Sequence, residues 1–203
     1  MKTLLLLLLL VSPVCGQWCQ YRPQGAQGGL IFDDVLSHCT VEMRQRMYDQ
    51  DKIVYCHEAT HGVNSQIRQC LIVNWAGLYT RNHRAFILRN PRVRLDQVAP
   101  LVSPGQRDEV YDLYLVKQRK DWNDFPLYLL DEWSAYINGT ECAIESNLDY
   151  RSELRQSLKF SNYVACLDQA IQQYDPQYDQ LQLFRVFVKY QNDRINVIER
   201  RVR

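Results

Sequence analysis

His57, Glu58 and His61 fall within five residues, His57-Glu58-Ala59-Thr60-His61, inside a stretch whose periodicity predicts a helix. Residues four apart on a helix stack on one face. The two imidazoles can therefore each aim a ring nitrogen at one point, with the Glu58 carboxylate beside it. Imidazole suits a borderline cation such as zinc. A carboxylate that does not ligate stays free to take a proton from a metal-activated water. Residue types and spacing together point to metal-assisted hydrolysis.

The helix that must carry these residues reads from about Lys52 to Val73, with Asp51 as its N-cap. Cys56, Val63, Ile67, Cys70 and Leu71 recur at helical spacing and predict a buried stripe, while His57, His61 and Arg68 fall on another face. The chemistry would thus sit at the border between core and cleft. Upstream, residues 17–29 read as irregular, and Asp33-Asp34 could start a helix running toward Met47. Downstream, residues 74–104 are punctuated by Asn, Gly and Pro. They predict a loop with one or two short strands, at Arg84–Leu88 and Val93–Leu95. The rest predicts helices over about 107–120, 126–145, 157–174 and 178–200. The fold class expected is α+β: one domain, residues 17–203, predominantly helical, with a small sheet beside the motif helix.

The segment Cys56–Gly62 resembles the zincin metallopeptidases. That resemblance implies a Zn2+ cofactor held by His57, His61 and a third ligand, a peptide or protein substrate, and Glu58 as general base. The chain departs from the metzincin pattern, because Asn64 and Ile67 stand where that pattern has Gly and His. It departs from the thermolysin-like pattern too, since residues 80–95 contain no Asp or Glu. A gluzincin-like glutamate from a distant helix remains, and Glu132 is the leading candidate. It shares a helix face with Tyr128 and Tyr136, and an acid within an otherwise apolar helix is costly unless it is paired or ligates a metal. Glu141, Glu145, Asp131 and His83 are the alternatives. Asp131 is also placed to orient a ligand histidine. Tyr136, Tyr79 and His83 are candidates to steady a developing oxyanion.

The N-terminus reads as an export signal over residues 1–16: Lys2, then the apolar run Leu4–Val11, then small residues before a cut near Gly16-Gln17. No later segment is apolar enough to span a bilayer. Of seven cysteines, Cys15 would leave with the signal; Cys19, Cys39, Cys56, Cys70, Cys142 and Cys166 remain as disulfide candidates in a secreted chain. Cys56 cannot pair with Cys70 on one helix, because fourteen residues span roughly 21 Å. Asn138-Gly139-Thr140 is an N-glycosylation acceptor sequence. With 24 basic and 23 acidic residues, the balanced charge argues against nucleic acid or an anionic membrane as partner. Two other readings keep parts of this picture. One is a secreted, disulfide-stabilised helical binding protein; the other is an inactive zincin-like pseudoenzyme. A zinc hydrolase acting on a non-peptide substrate is a further option.

Overall fold

The computed structural model describes residues 31–41, 51–71, 73–81 and 84–202. The expected signal segment, Cys19 and His83 lie outside these residues, as does the end of the helix expected to run toward Met47. What is seen of that helix is α1 (Ile31–His38), which packs on α2 (Lys52–Gln69).

α2 begins where the sequence places it. The Asp51 carboxylate accepts from the Ile53 and Val54 amides at 2.9 and 3.0 Å. It thereby satisfies two of the donors that a helix start leaves open. Cys56, Ala59, Val63 and Ile67 are buried, but Cys70 and Leu71 are only half-buried, because the helix ends at Gln69.

Asn74, at a φ of 75°, turns the chain into β1 (Trp75–Tyr79). This strand pairs antiparallel with β2 (Ala85–Arg89), Trp75 opposite Arg89. β2 matches the expected strand at 84–88. The second expected strand, Val93–Leu95, does not form: Leu95 opens the short helix α3 (Leu95–Val98), and the partner strand lies upstream. β1 crosses α2 so closely that a Cβ on Gly77 would stand 2.1 Å from Ile67 Cγ2, so only glycine fits there.

The single helix expected over 107–120 is interrupted. α4 (Glu109–Tyr111) runs into a π-helical stretch, Asp112–Lys117, and then α5 (Arg119–Trp122). Three long helices follow: α6 (Tyr128–Glu145), α7 (Arg151–Tyr174) and α8 (Leu181–Val202). α7 starts six residues before the expected 157, through the polar turn Arg151–Gln156. Asn147, at a φ of 55°, ends α6 in the left-handed conformation that commonly stops helices.

α6 is the centre of the molecule. Trp133 and Ile137 join the larger core with Leu115, Phe160, Leu167, Phe184 and Phe187, while Cys142 joins a smaller one with Ile31, Cys56, Val63 and Tyr79. A helix buried on several sides must be apolar nearly all round, and several of the polar groups that α6 does carry are paired across its contacts. Asn138 donates to Thr60 Oγ1 on α2 at 3.0 Å and accepts from Arg194 on α8 at 2.8 Å. Arg194 also meets Glu141 at 3.0 Å and Gln191 at 2.9 Å. This seam corrects the glycosylation reading. The Asn138 side chain is fully buried and engaged at both ends, so the folded protein has no room for a glycan there. Among the described residues, no helix is long and apolar enough to cross a membrane.

Candidate metal centre

α2 and α6 touch along their lengths, and the candidate site lies on that contact. His57 and His61 point their Nε2 atoms at each other across 3.2 Å. Glu132 Oε2, from α6, is 3.9 Å from His57 Nε2 and 3.6 Å from His61 Nε2. The circle through these three atoms has a radius of about 2.1 Å, the length of a zinc–nitrogen or zinc–oxygen bond. His57, His61 and Glu132 thus form a group that can hold a metal ion.

The outer nitrogens explain the aim of the inner ones. His61 Nδ1 lies 2.7 Å from Asp131 Oδ1. His57 Nδ1 faces Glu153 Oε2, from α7, at 3.4 Å. A carboxylate on each Nδ1 favours the tautomer that carries its proton there and leaves the Nε2 lone pair inward. Two Nε2 atoms 3.2 Å apart must share something positive between them, either a proton carried by one ring or a metal ion, because two bare lone pairs at that distance repel. The anionic surroundings also favour positive charge. Burial alone would push the His61 imidazole down, but the Asp131 hydrogen bond and then Glu132 outweigh it and hold its pKa at about 10.

Glu132 is 5 % exposed, and burial raises the cost of its charge. His61 and Tyr128 nevertheless hold its pKa below the ordinary glutamate value. Tyr128 donates to Oε1 at 2.6 Å. Oε2, the oxygen facing the histidines, has no hydrogen-bond partner among the described residues. A buried, ionised oxygen left open beside two imidazoles is what a metal ligand needs to be. The alternatives to Glu132 are engaged elsewhere. Glu141 pairs with Arg194 and Arg81, and Glu145 takes Arg81 at 2.6 Å and the Ile31 amide at 2.6 Å. Asp131 serves His61 from behind instead.

Asn64 was not read from the sequence as part of the site. It is fully buried one turn beyond His61, where it donates to Asp131 Oδ1 at 2.8 Å and accepts from the Tyr79 amide of β1. It therefore fixes Asp131 against both α2 and the sheet. Glu153 was missed as well, and its signal was a glycine. A Cβ on Gly139 would stand 2.9 Å from Glu153 Oε2, so the helix interior keeps a glycine where this carboxylate must approach.

The tyrosine candidates separate. The Tyr136 ring meets His57 edge-on, with centroids 4.4 Å apart, and its hydroxyl bonds Tyr114 of the π-helical stretch at 2.9 Å. Burial first, then the charges of Glu132, Glu153 and Glu58, push its phenol up to about 12, against the Tyr114 hydrogen bond. Tyr136 therefore keeps its proton at neutral pH. Tyr79 is not at the site: it is buried in the smaller core, its ring 4.8 Å from that of His38. Glu58, next to His57 in the chain, is exposed. No protein-family model, curated protein or solved structure matches this chain.

Proposed function

We propose that the protein is a secreted zinc-dependent peptidase. The observation that carries this reading is the convergence of three inward donors, His57, His61 and Glu132, with both histidines backed by carboxylates. Those three residues would hold the ion. When bound, zinc supplies Lewis acidity and a water of lowered pKa. Glu58, next to His57 and open to solvent, takes the proton from the attacking water and returns it to the leaving amine. Tyr136, still protonated, lies with its ring against His57 and is available to a developing oxyanion. A purely structural zinc site takes four protein ligands. Among the described residues three converge, and the exposed neighbour Glu58 supports turnover over simple binding.

Zinc content of the purified mature protein, measured before and after mild chelation, tests the proposal. About one zinc per chain is expected, lost together with casein hydrolysis and restored by adding zinc back. No zinc uptake would leave a secreted helical binding protein. Uptake without hydrolysis would leave the inactive zincin-like form or another substrate class.

A further inference from the structure

Cys56 and Cys142 face each other across the α2–α6 contact. Cys56 Sγ reaches the Asn138 carbonyl at 3.6 Å, one turn before Cys142; Cys142 Sγ reaches the Lys52 carbonyl at 3.5 Å, one turn before Cys56. The reciprocal pattern sets the two side chains opposite one another. Both residues are fully buried in the smaller core. Both are free thiols here, and a facing pair in an exported chain can be oxidised to a cross-link.

We propose that Cys56 and Cys142 form a disulfide that joins the helix carrying both histidines to the helix carrying Glu132. The step is thiol–disulfide exchange. One thiolate attacks an incoming disulfide, of an oxidoreductase or of oxidised glutathione, and the second thiolate displaces the mixed disulfide. The two cysteines lose two electrons and two protons, and the incoming disulfide leaves as two thiols. Because both sulfurs are buried in the folded protein, the exchange takes place while α2 and α6 dock, before the core closes. Burial then shields the finished bond from reductants. The bridge closes a long loop, so its principal effect is to restrict the unfolded chain. It is independent of whether zinc binds.

The test uses the full chain exported through an oxidising secretory route. The protein is denatured in iodoacetamide without reductant, digested with trypsin and mapped by mass spectrometry. The expected result is a linked species joining Ile53–Arg68 to Asp121–Arg151. Its mass is about 2 Da below the sum of the two free peptides, and dithiothreitol separates it. Cys166, half-buried on α7, serves as the alkylated internal reference. Recovery of Cys56 and Cys142 both carrying the alkyl group overturns the proposal. So does a link from either one to any other cysteine.

Discussion

Asp131→Asn removes one negative charge without changing the number of heavy atoms, and it isolates what a carboxylate behind a ligand histidine is worth. Asp131 Oδ1 holds two donors, His61 Nδ1 at 2.7 Å and Asn64 Nδ2 at 2.8 Å. The asparagine oxygen can still face both. Each bond then falls from the charged class, about 1.5–3 kcal/mol, to the neutral class, about 0.5–1.5 kcal/mol. The Asn64 bond is present with and without metal, so it cancels from the metal affinity. The His61 bond does not cancel, because ligation draws electron density from the ring and strengthens the outer N–H as a donor. The expected loss is therefore about 1–1.5 kcal/mol from that bond. With the reduced basicity of the ligand, the expected loss in zinc affinity is roughly tenfold or more. Competition with a chromogenic zinc chelator measures it, and circular dichroism confirms that the variant folds. The longer His57–Glu153 approach, 3.4 Å, makes Glu153→Gln the milder change. A folded Asp131→Asn protein with zinc affinity within twofold of the parent, or a larger loss in Glu153→Gln, would refute this account of how the histidines are held.

Gly139→Ala should separate stability from metal binding. The new methyl meets only the flexible end of Glu153, at 2.9 Å, while alanine favours the helix by up to about 1 kcal/mol; the denaturation midpoint should hold or rise as zinc affinity falls. Glu58→Gln should keep zinc and lose turnover, by about 100-fold or more; retained hydrolysis at normal zinc content removes Glu58 as the base. Arg194→Met leaves Glu141 buried with only Arg81 and should cost about 3–5 kcal/mol in urea unfolding, and a cost under about 1 kcal/mol would show that Arg81 suffices. Acid should expose the same pair. Burial opposes the Glu141 charge, but Arg194 and Arg81 outweigh it and hold its pKa below the ordinary value. Its contribution is therefore complete above the unfolded glutamate pKa, near about 4.3, and is lost as pH falls through the lower folded value. The Glu141→Gln protein should show a shallower loss of stability in that window.

The parts of the site that share one helix were legible in the sequence, and the parts that cross between helices were less so. His57 and His61 announce themselves by spacing, and Asp51 marks the start of their helix. Glu132 could be singled out because a buried acid in an apolar helix demands a partner. Glu153 could not, since its turn, Arg151–Gln156, is mostly polar in sequence and carries no mark of the α6 it faces. Gly139 carries the signal, but in the sequence it reads as the middle of the Asn138-Gly139-Thr140 glycosylation acceptor and not as a buried close approach. The fold class was sound: a mostly helical protein with a two-stranded antiparallel sheet. The π-helical stretch escaped because its extra residue per turn leaves no mark in composition. Tyr114 within it reaches Tyr136, a tertiary contact. Strand β1 escaped because Gly77, an ordinary loop marker, is there to let the strand lie against Ile67.

Asp131 and Glu132 are consecutive on α6, yet they serve opposite sides of the same imidazole. Glu132 stands before His61 Nε2 and Asp131 behind Nδ1. Sliding α6 along α2 by a single residue, about 1.5 Å, would withdraw both at once. Alignment of the two helices and occupancy of the cluster are thus one equilibrium, so an ion bound there selects the helical alignment as firmly as that alignment selects the ion.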